Sequence, residues 1–310
     1  MSFRSGFVTL LGRPNTGKST LLNRLLGAKV AIVAPRPQTT RTRLQGVLTR
    51  EGAQIVFVDT PGTHKPSTRM NQQMMRAVRD ALDSVDLVLL VLDAGRPANE
   101  EDEMALELAQ RTGAPTFLLL NKIDEIHKPK LLPLIEAWRQ KHDFREIIPV
   151  SALKGDNCAL LERRIIETLP EGPAYFPEDT LTDQPLRFLA GEIIREKIFH
   201  ETRQEVPYGT AVVVESFEEA QVANEAEGTV GIRNPKPLTR IRATILVERD
   251  GHKGILIGAG GQKLKAVGRA ARVELEGLLG TKVFLELFVK TQEDWRQQEG
   301  VERLIDWRHE

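Results

Sequence analysis

Short apolar runs alternate with stretches of helical spacing along the first half of the chain. Runs in which nearly every position is apolar predict strands that are buried on both faces, at residues 7–11, 54–58, 87–92, 116–120 and 147–150. Apolar residues three and four positions apart predict helices, at residues 20–26, 70–82, 100–111, 130–141 and 159–169. This alternation favours an α/β fold with a doubly wound, mostly parallel sheet.

The pattern changes after residue 169. Residues 169–179 carry three prolines and a glycine, which predict an extended segment at a domain boundary. We therefore predict a first domain at 1–170, a linker at 171–184, a second domain at 185–300 and a tail at 301–310.

The second domain is predicted to be a smaller α+β unit. Its first helix runs to about His200, with Asp183 as its N-cap. The apolar pattern predicts strands and two short helices around a glycine turn, in the order helix, strand, strand, helix, turn, helix, strand. We place the strands at 208–217, 238–248 and 283–289, and the turn at 258–261. Residues 292–307 are amphipathic and predict a packed helix before a loose tail.

Composition constrains the partners and the cell compartment. The 43 basic and 43 acidic residues cancel, so any nucleic-acid surface must be local. One such patch exists, because residues 233–272 hold ten Lys or Arg against two acids. The only cysteine, Cys158, excludes an internal disulfide and a Cys-based metal site, and we expect it to be buried. No signal core follows Met1 and the longest apolar run is too short to span a bilayer, so we expect a soluble, cytoplasmic protein.

A glycine-rich loop follows the first predicted strand. Its form is G-x-x-x-x-G-K-S, and a helix follows it, which is the setting of a phosphate-binding loop. Its backbone N–H groups face phosphates, while Lys18 reaches the β- and γ-phosphates and Ser19 can bind Mg²⁺. A simple glycine turn would leave Lys18 and Ser19 without a role. The predicted contacts are Gly12, Arg13, Pro14, Asn15, Thr16, Gly17, Lys18, Ser19 and Thr20.

Three more polar clusters each follow a predicted strand. Because the carboxyl ends of parallel strands share one edge, they converge on the phosphate loop. Asp59 is expected to hold Mg²⁺ through water, and the Gly62 N–H to meet the γ-phosphate. The residues of the three clusters are Asp59, Thr60, Pro61, Gly62; Asn121, Lys122, Asp124; and Ser151, Ala152, Leu153.

The Asn121 cluster selects the base. A carboxylate at Asp124 accepts from the adjacent N1–H and 2-amino donors of guanine, whereas adenine would leave it buried and unpaired. Asn121 can tie the base loop to the phosphate loop, and Lys122 can lie over the purine. The Ala152 N–H is expected to meet the guanine 6-oxo group. These motifs predict a GTP site.

A second chemistry lies in the basic patch. A lone Gly258-Ala259-Gly260-Gly261 is weak evidence, since it also fits a plain helix–turn–helix joint. Together with the basic charge and the element order, it resembles the type II KH domain, which clamps single-stranded RNA. Both inner residues of this turn are small, so Lys263 and Lys265 must supply more of the phosphate contact. Ile257 is expected in the groove that contacts bases.

Residues 7–169 resemble a GTPase of the translation-factor-like class, and the run 37–41 resembles the first switch of the Era family of bacterial GTPases. The GTPase–KH order extends this resemblance over nearly the whole chain. It implies that Thr40 binds Mg²⁺ in the GTP state, with Thr39 as the alternative. It also implies hydrolysis of GTP to GDP and phosphate, with Lys18, Thr40 and Gly62 as catalytic residues.

Two positions bear on hydrolysis. Thr63 stands where Ras-like enzymes carry a glutamine and Era relatives usually an apolar residue, so it departs from both patterns. His64 is expected to be an exposed switch histidine, with a general base as the alternative. Asn15 resembles the asparagine through which related GTPases hold K⁺.

By the same resemblance, the protein binds the single-stranded 3′ region of 16S ribosomal RNA. It assists assembly and maturation of the small ribosomal subunit under GTP control. Family members also associate weakly with the inner face of the membrane, and we expect a monomer. The alternatives are another phosphate-loop GTPase that acts on other RNA, a small-molecule kinase, and an RNA-binding module with a dead nucleotide site.

Overall fold

The computed structural model describes residues 2–34, 36, 38–63, 68–219 and 237–309. They form two compact units, Met1–Gln184 and Pro185–Glu310. Both units mix helices with a sheet, so the predicted α/β fold with a smaller α+β unit is confirmed. None of the helices in these ranges is long and apolar enough to cross a membrane.

The first unit is built on a six-stranded sheet. Its strands are β1 (Arg4–Leu11), β2 (Leu44–Arg50), β3 (Ala53–Asp59), β4 (Leu87–Asp93), β5 (Thr116–Asn121) and β6 (Glu146–Pro149). They lie in the order β2-β3-β1-β4-β5-β6, and only β2 is antiparallel to its neighbour. Every residue of β3, β4 and β5 is buried, because helices cover both faces.

Strand β2 was not predicted from the sequence. Gln45, Gly46 and Thr49 interrupt its apolar pattern, so it gives no clear period-2 signal. The glycine has a packing reason, because a Cβ at Gly46 would lie 2.5 Å from Cδ1 of Leu26, on the helix that precedes β2. β2 pairs with β3 as a hairpin across Gly52.

Five helices cover the sheet, at the places that the apolar spacing predicts. They are α1 (Lys18–Leu26), α2 (Arg69–Asp80), α3 (Glu100–Thr112), α4 (Leu131–Arg139) and α5 (Cys158–Thr168). A capping box at Asn99 and Asp102 fixes the start of α3. Cys158 is a buried free thiol whose pKa burial raises.

The second unit packs helices on one face of a three-stranded sheet. In chain order its elements are α6 (Leu186–Glu201), β7 (Thr210–Glu218), β8 (Leu238–Val247), α7 (Asp250–Ile257), α8 (Gln262–Leu279), β9 (Lys282–Thr291) and α9 (Glu302–Ile305). β8 runs antiparallel to β7 and parallel to β9. The core joins α6, α8 and the sheet through Ile194, Ile198, Ile245, Val267 and Ala271. Helix α8 spans 18 residues and is longer than predicted.

The segment 171–184 lies along the first unit. The Gly172 N–H donates to Phe3 O at 3.0 Å, and Gln54 Nε2 donates to Phe176 O at 2.8 Å. Asp183 does not cap α6 as predicted. Its Oδ1 instead accepts from the Gln45 N–H at 3.1 Å, and the N-cap is Pro185, which has no side chain that could accept a hydrogen bond.

The chain end differs from the predicted helix and loose tail. β9 extends to Thr291, and one turn of 3₁₀-helix and the short α9 follow it. Trp295 is fully buried and donates from Nε1 to Gly209 O at 3.0 Å. Val301 and Ile305 are also buried, so apolar anchors fix a segment whose overall composition is polar.

Candidate nucleotide site and RNA surface

Two glycines give the phosphate loop its path. Gly12 has φ 152° and Gly17 has φ 95°, a region that favours glycine. A Cβ on Gly12 would lie 2.3 Å from Val91 O, and one on Gly17 would lie 2.3 Å from Nδ2 of Asn121. Asn15, between them, adopts the left-handed region with φ 65°. The loop is therefore packed against β4 and against the predicted base-reading loop.

Lys18 lies inside this loop with its ammonium buried. Its Nζ donates to Gly12 O at 2.7 Å and to Arg13 O at 3.0 Å. Burial lowers the pKa of Lys18 to about 8, against the opposing effect of the Asp59 carboxylate. Phosphate oxygens at this point would meet a cation that the protein already holds in place.

Three oxygen-bearing side chains meet at the start of α1. Ser19 Oγ lies 3.0 Å from Thr40 Oγ1. The Ser19 hydroxyl donates to Asp59 Oδ2 at 2.8 Å, and the Thr40 hydroxyl donates to the same oxygen at 3.0 Å. Burial raises the pKa of Asp59, and its Oδ1 has no hydrogen-bond partner among the described residues. An orphaned carboxylate oxygen beside two hydroxyls suits Mg²⁺, which prefers oxygen ligands. The structure thus brings Thr40 to this cluster.

The second switch segment starts against the phosphate loop. A Cβ at Gly62 would lie 2.6 Å from Pro14 N, so only glycine allows this approach. Thr63 is fully buried, its N–H donates to Gly12 O at 3.1 Å, and its hydroxyl donates to Glu101 O at 3.1 Å. Thr63 thus links the switch to the phosphate loop through its backbone and to α3 through its side chain. His64 lies outside the described residues.

Arg13 sends its side chain away from the loop. Its guanidinium forms a buried ion pair with Asp102 of α3 at 3.1 Å and donates to Pro97 O at 3.3 Å. At Arg13, therefore, only the backbone can make the predicted contact with phosphate. Burial raises the pKa of Asp102. Sequence reasoning missed Asp102 because a glutamate- and aspartate-rich helix start is an ordinary cap signal.

Asn121 holds three loops together. Its Nδ2 donates to Thr16 O at 2.7 Å, which links the base loop to the phosphate loop as the sequence suggests. Its Oδ1 accepts from the Ala152 N–H at 3.0 Å. That N–H was predicted to meet guanine, and here it serves Asn121 instead. Ser151 Oγ donates to Asp124 Oδ1 at 2.6 Å, so the predicted guanine-binding carboxylate is fixed from behind.

The ammonium of Lys122 forms an ion pair. Its Nζ lies 2.7 Å from Asp93 Oδ2 at the end of β4. This pairing lays the lysine stem across the strand ends. Asp93 was seen in the sequence only as the end of a strand.

Sequence reasoning missed two residues of α1: Arg24 supports the base loop, and Asn23 supports the segment at residues 30–31. Arg24 donates to Ala152 O at 3.1 Å and to Leu153 O. Asn23 donates to Ala31 O at 2.7 Å, and its Oδ1 accepts from the N–H groups of residues 30 and 31 at 3.0 Å. A cavity of about 350 Å³ lies among these groups and includes Thr20 and Leu153 in its lining. Their signal in the sequence is only a polar pair within an amphipathic helix.

The glycine turn of the second unit is tight and open to solvent. Gly258, Gly260 and Gly261 have φ of 71°, 58° and 77°. A Cβ on Gly260 or Gly261 would meet no atom within 4 Å, so a large group can approach there. Ala259 is exposed and Ile257 is half-buried. Lys263 and Lys265 are exposed on the first turn of α8, next to this turn.

Comparison with known proteins decides the family. Residues 7–122 match the family model of the 50S ribosome-binding GTPase, and residues 205–296 match that of the KH domain. GTPase Era of Geobacter metallireducens is 50% identical over 297 residues, which cover 96% of this chain and 95% of that protein. The chain belongs to the Era family of GTPases. Era of Syntrophus aciditrophicus is 48% identical over 94% of this chain and 92% of its own length.

Two solved Era structures share the fold over 98% of this chain and 99% of theirs. An Aquifex aeolicus Era variant bound to GDP and AlF₄⁻ has a TM-score of 0.90 and 39% identity. Era bound to MgGDPNP and nucleotides 1506–1542 of 16S ribosomal RNA has a TM-score of 0.90 and 40% identity. This Era-family chain is thus a GTPase that hydrolyses GTP to GDP and phosphate and carries a KH RNA-binding domain.

Proposed function

We propose that this GTPase binds the single-stranded 3′ region of 16S ribosomal RNA through its KH unit and assists assembly and maturation of the small ribosomal subunit. One observation carries the proposal. Era bound to MgGDPNP and nucleotides 1506–1542 of 16S ribosomal RNA matches this chain over 98% of its length at 40% identity. The open turn at Gly260 and Gly261 supports it, because a KH domain brings a nucleic-acid backbone against such a turn.

The nucleotide is held by the loop of residues 12–20 and by the three strand-end clusters. Ser19 and Thr40 hold Mg²⁺ directly, and Asp59 holds it through water. That ion, when bound, neutralises charge on the β- and γ-phosphates. Two observations support this set of ligands: the hydroxyls of Ser19 and Thr40 lie close together, and Asp59 Oδ1 has no hydrogen-bond partner among the described residues.

Lys18 and the Gly62 N–H stabilise the charge that develops as water attacks the γ-phosphorus and the bond to the bridging oxygen of GDP breaks. Thr63 is buried and engaged, so no side chain at that position orients the water. Asn15 would hold K⁺, which would supply positive charge at the same phosphates.

Guanine is read by Asp124, which Ser151 holds in place, while the N–H of Ala152 holds Asn121. The stem of Lys122 covers the purine face, with its ammonium anchored on Asp93. RNA is held by the turn 258–261, by Ile257 in the base groove, and by Lys263 and Lys265.

We also propose that residues 1–170 form the GTPase domain, 171–184 the linker, 185–300 the KH domain and 301–310 the tail. The linker lies along the first unit. The proposal also includes a cytoplasmic monomer with weak peripheral contact at the inner face of the membrane.

The test measures the affinity for an RNA with the sequence of nucleotides 1506–1542, using protein loaded with GDP or with a non-hydrolysable GTP analogue. We expect the two nucleotide states to differ in affinity and Gly260→Asp to abolish binding, because a carboxylate would repel the backbone. Equal affinity for a scrambled RNA of the same length would favour the alternative of a GTPase that acts on other RNA.

A further inference from the structure

Helix α8 carries a row of cations that leads away from the glycine turn. Lys265, Arg269 and Arg272 follow each other at spacings of four and three residues, so they lie on one face of the helix. All three are exposed, whereas Val267, Ala271 and Leu275 face the core. We call Lys265, Arg269 and Arg272 the α8 row.

The acids of α8 do not neutralise this row. Glu274 forms an ion pair with Lys197 of α6. Glu276 accepts from the Val283 N–H at 3.3 Å and lies 3.3 Å from the Lys282 ammonium. Neither Lys265 nor Arg269 contacts a carboxylate in the described parts of the chain. Arg272 has an electrostatic interaction with Glu276, one turn further along α8.

The row is unfavourable for the helix itself. Like charges one turn apart repel each other and destabilise a helix, whereas opposite charges at that spacing stabilise it. Some other exposed cations do have an acidic partner, as Arg50 has Glu162 and Arg242 has Glu286. An anionic partner would relieve the repulsion along the α8 row.

We propose that the α8 row extends the RNA site, so that the nucleic-acid backbone continues from the glycine turn along α8 as far as Arg272. This inference rests on the proposed RNA-binding function and deepens it. The row spans about 10 Å at the helical rise, which covers two or three phosphates. RNA is the occupant that the position favours, because the row begins within one turn of Gly261 in a unit that matches the KH domain.

The length of the bound RNA also fits. A KH domain clamps about four nucleotides at its glycine turn. The Era protein solved with RNA holds nucleotides 1506–1542. In this chain, the α8 row is a surface continuous with the turn that can hold backbone beyond those nucleotides.

The experiment compares Arg269→Gln/Arg272→Gln with a matched control, Lys130→Gln/Arg139→Gln. The control removes two exposed cations from the first unit and changes the net charge equally. Glutamine keeps helix propensity close to that of arginine. The RNA carries the sequence of nucleotides 1506–1542, and its affinity is measured from 0.1 to 1 M KCl.

We expect the salt slope of log affinity to fall by about 1.4 in the α8 variant, since each single-strand phosphate contact contributes about 0.7. Over this tenfold range in salt, that difference corresponds to about 25-fold weaker binding at 0.1 M. The control should keep the wild-type slope. GTP hydrolysis without RNA should equal wild type in both variants, which shows that the first unit folds. The α8 variant should also keep the wild-type denaturant unfolding curve, which shows that the second unit folds.

An α8 variant with the slope of the control overturns this inference. If Gly260→Asp still abolishes binding in that case, the proposed function stands and only the extension fails. If the wild-type protein binds this RNA no better than a scrambled one, the proposed function fails instead. Loss of binding to phosphatidylserine vesicles in the α8 variant, with an unchanged RNA slope, would assign the row to a lipid surface.

Discussion

At the scale of single residues, the nucleotide site depends on backbone that only glycine allows. Gly17 combines a positive φ with a Cβ position only 2.3 Å from the Asn121 amide. The Asn121 amide in turn bonds to both Thr16 and Ala152. One side chain therefore connects phosphate binding to base reading.

Gly17→Ala should weaken GDP binding by at least a hundredfold. It strains the backbone by about 1–3 kcal/mol and displaces Asn121 from two hydrogen bonds worth about 1 kcal/mol each. The matched control is Gly113→Ala, which has φ 68° but open space around the new Cβ. It should lose stability without losing GDP affinity, measured by calorimetry. Equal GDP affinities for the two variants would contradict the role of Asn121.

Lys18 makes nucleotide binding depend on pH. In the free protein burial lowers its pKa to about 8, so the ammonium is charged below pH 8 and becomes neutral above it. Bound phosphates favour the charged form and raise that pKa again. The affinity for GDP should therefore be flat with respect to Lys18 below pH 7, and fall up to tenfold per pH unit above pH 8.

The measurement is a GDP titration from pH 6.5 to 9.5. Lys18→Met serves as the control, because it binds weakly but keeps every other titrating group, including the guanine base. A wild-type slope above pH 8 that equals the slope of Lys18→Met would contradict the lowered pKa.

At the scale of elements, helices hold the loops that bind the nucleotide. α1 supports the base loop through Arg24, and α3 holds the phosphate loop through the Arg13–Asp102 ion pair. Both contacts engage residues that are predicted to bind the nucleotide, Ala152 and Leu153 for α1 and Arg13 for α3. Both therefore fix backbone that the ligand needs in place.

Arg24→Leu should speed GDP release by about tenfold. It removes two hydrogen bonds to the carbonyls of Ala152 and Leu153, each worth about 0.5–1.5 kcal/mol, and frees the base loop. Arg163→Leu on α5 removes an exposed helical arginine whose ion pair is with Glu167 of the same helix, and it should leave the release rate unchanged. Stopped-flow release of a fluorescent GDP measures both. A wild-type rate in Arg24→Leu would show that α1 does not hold the base loop.

Asp102→Asn should lower the free energy of unfolding by about 3 kcal/mol, because it leaves the buried Arg13 guanidinium without its carboxylate. Asparagine can still accept from the Asn99 N–H, so the capping box is largely kept. Denaturant unfolding measures the loss. Glu107→Gln, which removes the acid of an exposed pair with Arg111, should change stability by less than about 0.5 kcal/mol.

At the scale of the whole molecule, sequence predicted most of the architecture and the sets of residues that converge. Buried strands such as β4 and β5 give unbroken apolar runs, and their polar ends identify the site. The sequence could not show where side chains turn once packed. Arg13 pairs with α3 and Lys122 with Asp93, because each cation found a carboxylate on a neighbouring element.

The errors of prediction have a common physical cause. Strand β2 was not predicted because the close packing of α1 requires a glycine, Gly46, within the strand, and this glycine interrupts the apolar pattern. The end of the chain is fixed by Trp295, Val301 and Ile305, whose burial is a tertiary effect that local periodicity does not report. The role of Arg24 depends on a loop more than a hundred residues away, and the role of Asn23 depends on how the chain bends after α1.

The proposed function requires that GTP hydrolysis in the first unit responds to ribosomal RNA bound by the KH unit. GTP turnover in KCl, with and without an RNA of nucleotides 1506–1542, tests this coupling. We predict slow turnover that the RNA stimulates in wild type but not in Gly260→Asp, and lower basal turnover in NaCl than in KCl. RNA stimulation that persists in Gly260→Asp, or none in wild type, would contradict coupling through the KH unit.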